Sequence, residues 1–513
     1  MSLGGATANR FDSPNNVIRY RRQVGNLQVG YHVNEAAIFV QDNWRIRNGL
    51  TLNYGLRWES QFNPTPQADN TTVVNRLRNV SFPIGVAFDP TIMPNDAREF
   101  MPRVGLAWSP GRRTVIRANA GIFYARTPML VFAGPMNNFR STPGDVSLEF
   151  PLQPPAGQTS LPCGLTVYSQ LKSIGVDLNN YTLDKLPVLT SAQAQSIGTA
   201  CGLSVNILRG AQLLSTASDY RNPRALQWAG GFEHEVKPGW TAGFDFSYAN
   251  TVHLQRNHDL NLNPPTIRAA DGRPVYGPRF LTDFAQIWIR ESSARSLYRA
   301  FVFRTNINRA RYQFNAFYTL SWNYSDDDNE RSATFTDAQD QFNRVGEYSY
   351  SRLDRRHQFA MFGTYSMPWG FQLGGSARLF SAAPFNATAG SDLNADGDNA
   401  TDRPYSAVGV TMPRNGFRNR PVYVTNLRVG RQFRITEKSK LQFSVDLFNA
   451  FDNDNVIFAG NNLIYGPGIN VTTGAAAPID SRFKLLRNAD GSYNTVNSPG
   501  DPFQLQIGLK FVF

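Results

Sequence analysis

The chain has 513 residues, of which 18% are charged, and it carries 36 Phe, 20 Tyr and 8 Trp. Charged residues fall below the roughly 25% of soluble chains, yet mean hydropathy is −0.36 and no run of 18 apolar residues occurs, which excludes a helical membrane protein. Net charge is +12; the aromatics and the periodic apolar residues exclude disorder, and two cysteines exclude a disulfide-dense scaffold and a paired-CxxC zinc module.

The start, Met1-Ser2-Leu3-Gly4-Gly5, lacks the charged region and apolar core of a secretory signal. Residues 1–33 read as a lead-in or a residual strand. From residue 34 onward, strict alternation dominates. Within 50–62, Leu50, Leu52, Tyr54, Leu56, Trp58 and Phe62 share one face, and Thr51, Asn53, Gly55, Arg57, Glu59 and Gln61 share the other. A period of two over this length specifies a strand with one apolar and one polar face. The pattern predicts strands at 34–46, 50–62, 102–109, 114–124, 224–236, 240–251, 295–306, 311–323, 355–367, 370–382, 421–434, 441–452 and 503–513. The 295–306 segment alternates least well.

Short connections at 47–49, 110–113, 237–239, 308–310, 368–370 and 435–440 take turns with long polar stretches near 63–101, 125–223, 252–294, 324–354, 383–420 and 452–502. Greek-key sandwiches mix loop lengths, whereas antiparallel transmembrane β-barrels put short turns at one end and long loops at the other. The fold class is therefore all-β, an antiparallel transmembrane β-barrel. Trp44, Trp108, Trp240 and Trp369 each lie within about three residues of a short turn, as an interfacial girdle requires.

Candidate chemistry is sparse. No GxSxG, HExxH, Walker A or GxGxxG stretch occurs, and the five histidines lack metal-ligand spacing, so an enzyme is not expected. His253 and His258 read as solvated loop residues, and so does the acid run Asp326-Asp327-Asp328-Asn329-Glu330. Arginines are scattered singly and no zinc finger or RNP motif accompanies them, so nucleic acid is not expected as a partner. No cofactor is required. A Ca²⁺ site in an external loop is one reading of Asp392, Asn394, Asp396, Asp398 and Asp402, because alternating oxygen side chains with Gly397 sixth let a short loop wrap a hard cation. A polar external loop is the other reading, since Arg403 stands where an EF-hand has its closing Glu. Cys163 and Cys201 share one external loop and could form a disulfide or remain free thiols. Arg57, Arg378 and Arg428 take the polar, lumen-side phase, while the phase of Arg117 is ambiguous.

Two features carry a family resemblance. Gln506-x-Gly508-x-x-Phe511-x-Phe513 at the C-terminus resembles the signal read by the barrel assembly machinery of bacterial outer membranes. Phe39-Val40-Gln41-Asp42-Asn43-Trp44, Pro102-Arg103-Val104-Gly105, Asp402-Arg403-Pro404 and Leu447-Phe448-Asn449-Ala450-Phe451 are among segments that resemble the barrel of Oar-like TonB-dependent transporters over most of 34–513. The resemblance implies a barrel of about 22 strands, a plug inside it and a TonB box before the plug. It also implies a place in the outer membrane among lipid and lipopolysaccharide, and uptake of a bulky substrate. Thirteen strands, with a possible fourteenth before residue 33, are expected here as a C-terminal portion without its plug, so the TonB complex would act only through that missing part. A surface adhesin or a passive porin-like channel is the alternative. Arginines on the lumen side would then meet acidic groups of a plug, or an anionic substrate.

Overall fold

Each alternating segment becomes a strand. We describe the computed structural model over residues 19–24, 28–140, 146–151, 211–282, 284–328, 338–398, 401–437, 439–458, 463–483 and 502–513. The strands of the wall are β1 (Asn34–Arg47), β2 (Leu50–Phe62), β3 (Asp96–Gly111), β4 (Thr114–Tyr124), β5 (Arg224–Lys237), β6 (Trp240–Asp259) and β7 (Ile287–Asn308). They continue as β8 (Tyr312–Ser325), β9 (His357–Ser366), β10 (Phe371–Phe380), β11 (Val422–Arg434), β12 (Lys440–Phe448) and β13 (Gln504–Val512). Each pairs antiparallel with its neighbours in chain order. Six hairpins turn at one end of the sheet, and the described residues of the long connections lie at the other.

Register follows the apolar pattern. Phe232 lies opposite Phe244, and Phe244 lies opposite Phe303, on the apolar face. Their rings, with Phe246 and Phe301, form a ladder at centroid spacings of 4.9–6.3 Å. Such cross-strand aromatic pairs each add roughly 0.5–1.5 kcal/mol beyond area burial. The first and third turns depend on Gly49 (φ +78°) and Gly239 (φ +75°). A Cβ there would sit 2.8 and 2.4 Å from the backbone oxygens of Ser109 and Asn308, so other residues would be strained and crowded.

Several strands outrun their predicted bounds. β3 begins at Asp96, β6 runs to Asp259, and β7, the least regular segment by alternation, is the longest at 22 residues. The extensions lie under the loops, where Ile287, Trp288, Ile289 and Arg290 are all buried. With both faces covered, nothing enforces apolar/polar alternation. β6, with 20 residues, spans about 66 Å at 3.3 Å per residue, against an apolar band of about 25 Å in outer-membrane barrels. Its far half, including His258, therefore belongs to the loop region.

The expected fourteenth wall strand is corrected. Arg19–Val24 is a strand, but it pairs with Val146–Pro151 in the loop region rather than with β1. Its sequence, RYRRQV, has no apolar face to offer the wall. Among the described residues, β1 and β13 therefore each have one wall neighbour and one open edge.

Candidate functional site

The described residues of the long loops fold into a cap with its own core. Helix α1 (Thr71–Arg78) starts where the Asn70 side chain accepts the Val73 N–H. It buries Val73, Val74 and Leu77 against Leu213, Leu260, Phe284, Ile287 and Ile289. Asn261 ties the next loop together, donating to the carbonyls of Leu281, Phe284 and Ala285 while accepting the Leu281 N–H.

Arginines lock the cap. Arg273, fully buried, meets Asp271 at 2.7 Å and Asp402 at 2.9 Å, with its guanidinium over the Tyr405 ring. Arg403 pairs with Glu347, and Arg414 meets Asp328 at 2.7 Å and donates to the Ser325 carbonyl. Arg418 meets Asp354 at 2.8 Å. Adjacent residues of the Asp402-Arg403-Pro404 motif thus hold two different loops. Removing one partner of such a buried pair strands the other charge, at about 3–5 kcal/mol.

This corrects the reading of the acid run. Asp326, Asp327 and Asp328 do not form a solvated face: they meet Arg256, Arg256 and Arg414, respectively. Burial works against the Asp328 charge, but Arg414 and donors from Ser325, Arg352 and Ser351 hold its pKa below the ordinary carboxylate value.

The structure brings Asp392, Asn394, Asp396, Asp398 and Asp402 into one loop. Asp392 accepts the Gly397 N–H at 2.9 Å, Asn394 accepts that of Asp396, and Asp396 accepts that of Asp398. Asp402 accepts the N–H groups of Leu393 and Asn394 beside Arg273. Burial pushes the Asp402 carboxyl up to about 6 despite those amides and Arg273. Among the described residues, no group of three or more His, Cys, Asp or Glu stands where it could hold one metal ion.

His258, expected in solvent, is buried on the floor of a cavity of about 710 Å³. Loop segments Ile84–Ala87 and Gln341–Arg344 form its walls. Arg344 Nη2 donates to His258 Nδ1 at 3.2 Å and to Glu291 at 3.1 Å. Because arginine only donates, Nδ1 accepts and the ring is neutral with its proton on Nε2. Burial first, then Arg344 and Arg256, drive the His258 pKa well below the ordinary imidazole value. The spacing of His253 and His258 gave no sign of this, because the covering residues are far away in sequence.

On the polar face of the wall, Arg57 meets Glu59 at 2.7 Å and Arg428 meets Asp446 at 3.5 Å. Arg378 has no ion pair among the described residues. Register settles Arg117: it lies opposite Ala107, which lies opposite Thr51, so it shares the polar phase. Sequence reading missed Arg304, which bridges Asp245 at 2.7 Å and Glu233 at 3.4 Å across three strands. In β13, Gln506 lies opposite Asp446 and Gly508 opposite Ser444, whose Oγ would be 2.8 Å from a Cβ at 508. Phe511 and Phe513 stack at 5.9 Å, with Phe513 exposed. Cys163 and Cys201 lie outside the described residues.

No curated protein sequence matches the chain. Among solved structures, it is similar to the transporter YddB from Escherichia coli (8% identity, TM-score 0.49, covering 96% of this chain and 48% of that one). It is similar to the pyoverdine receptor FpvA from Pseudomonas aeruginosa PAO1 (10% identity, TM-score 0.43, 94% and 42%). It is also similar to the ferric enterobactin receptor PfeA from Pseudomonas aeruginosa (12% identity, TM-score 0.45, 94% and 45%). The chain spans less than half the length of each. A family model described as an outer membrane beta barrel domain matches residues 10–411, and with its antiparallel wall the chain belongs to that outer-membrane family.

Proposed function

We propose that these residues form much of the wall and the external cap of a TonB-dependent transporter that takes up a bulky substrate across the outer membrane. The observation that carries this reading is the pair of open edges on a thirteen-strand wall. β1 is exposed along all 14 residues, and β13 is exposed along nearly its whole length. Bare strand edges leave backbone N–H and C=O groups without partners in lipid, so a spanning sheet has to close. In this reading, further strands and a plug from outside the 513 residues complete the barrel, and TonB acts through that plug. The cap supplies substrate-facing loops held in one arrangement before binding. A small passive pore would instead close β1 directly onto β13.

Cysteines at Val40 of β1 and Leu509 of β13 separate these readings in outer membranes of intact cells. The transporter reading expects no direct cross-link between them, together with substrate accumulation that stops when the proton gradient is collapsed. An efficient cross-link would establish the closed pore and reject it.

Two site readings stand as proposals beside this one. The β13 pattern Gln506, Gly508, Phe511 and Phe513 serves the assembly machinery, so deleting Phe513 should lower outer-membrane levels. Undiminished levels would reject that role. For the 392–402 loop we propose Ca²⁺, supported by the oxygen side chains of Asp392, Asn394, Asp396 and Asp402, which lie in one loop. Amide exchange across 390–398 should slow with Ca²⁺ relative to chelator, and identical rates would leave a loop neutralised by Arg273 and Arg279 alone.

A further inference from the structure

Five of the six short turns carry a cation. Arg47 precedes the first, Arg112 and Arg113 make the second, Lys237 precedes the third, Arg309 and Arg311 flank the fourth, and Arg434 precedes the sixth. Of these, only Arg309 is partly covered; the rest are exposed. Among the described residues none of them forms an ion pair, although Glu235 and Glu437 stand at the same end. Glu235 instead accepts the Gly239 N–H of its own turn.

The level of these cations relative to the membrane can be read from their neighbours. Trp44, Trp108 and Trp240 lie a few residues inside the turns, and Trp369 sits within the fifth. Trp44 and Trp369 are among the most exposed large side chains of the wall, and Trp240 donates its indole N–H to Thr305 at 3.0 Å. Indoles with an apolar body and a bonded N–H mark the headgroup level. At that level Arg431 lies on the apolar face, its guanidinium 4.8 Å from the Phe371 ring and 4.6 Å from the Phe433 ring. A cation held there by aromatic rings faces lipid, which an acidic periplasmic protein would not reach. The turn cations lie one step further out, where a stem along the wall can lift the charge into the headgroups.

We propose that the short-turn end is a binding ring for anionic phospholipid headgroups of the inner leaflet, of the phosphatidylglycerol type. The proposal rests on the outer-membrane reading, with the turns on the periplasmic side, but not on transport. A zwitterionic headgroup brings an ammonium with each phosphate and leaves the net charge of the ring unbalanced, whereas headgroups of net negative charge neutralise it. Each cation next to an anionic surface improves partitioning roughly fivefold at low salt.

The test uses the whole protein extracted from outer membranes and placed in nanodiscs of phosphatidylethanolamine with a minor share of phosphatidylglycerol. Lipids retained after partial delipidation are counted by native mass spectrometry. Phosphatidylglycerol should be enriched on the protein. The fourfold variant Arg112→Gln, Arg113→Gln, Arg309→Gln and Arg311→Gln should lose that enrichment at least about tenfold, as should high salt. Unchanged heat-shifted migration on gels shows that the variant is folded. Equal retention by both proteins would overturn the proposal. So would a preference for an acidic peptide, such as polyglutamate, with no lipid selectivity. A failed uptake assay would count against the transporter reading alone.

Discussion

At the loop end, Arg273, Arg403 and Arg414 are buried, and each meets a carboxylate from a distant segment. At the turn end, Arg112, Arg113 and Arg311 are exposed and meet none among the described residues. One residue type therefore does opposite work at the two ends. Burying a guanidinium is costly unless acceptors replace its water, and at Arg273, Arg403 and Arg414 carboxylates do so. Once that happens, the loops that supply the partners hold one another in place. An exposed arginine imposes no such dependence and stays available to something outside the protein.

The largest expected effect follows from that difference. Arg414→Met should destabilise the cap by about 3–5 kcal/mol, because Asp328 is left buried without its main cation. Amide exchange should rise in 323–328, 347–351 and 413–418 while the hairpins of the wall stay protected. Unchanged exchange there would show that the pair contributes nothing to the cap.

Mild acid offers a second, smaller perturbation. The folded His258 pKa is depressed, so the unfolded cap binds a proton more readily than the folded one. Its contribution is present above pH 6.5 and is lost as pH falls below that value. Exchange around 253–258 and 341–345, corrected for intrinsic rates, should therefore rise at pH 5.5 relative to pH 7.5. His258→Gln should flatten that difference.

Within the wall, Arg304→Gln should cost about 1 kcal/mol or less, since its two ion pairs are partly exposed to solvent. Arg112→Gln should change stability by less than about 0.5 kcal/mol. A loss at Arg112 as large as at Arg414 would erase the contrast between the two ends.

The wall was legible because one face is apolar and the other polar over its whole height. β2 and β4 match their predicted bounds residue for residue. The far ends of β6 and β7 were not legible, since both faces are covered by loops and alternation lapses. The cap was hidden for another reason. Asp402-Arg403-Pro404 stood out as a motif, but Arg273 lies 129 residues from Asp402 and Glu347 lies 56 from Arg403. Local spacing cannot register partners at such distances, so Asp326–Asp328 looked like solvated acid and His258 like a loop histidine. The 392–402 loop was visible as a chain of oxygen side chains, while the arginines that neutralise it were not.

The two-ended account stands most directly on orientation. Val345 is 89% exposed in a cap loop, and Asn48 is exposed in the first short turn. Single cysteines at these positions, treated with a membrane-impermeant maleimide on intact cells, report which end faces outward. The account expects labelling at 345 without permeabilisation, and at 48 only after the outer membrane is opened. Labelling at 48 but not at 345 in intact cells would contradict it, placing the locked cap inside and the free arginines outside.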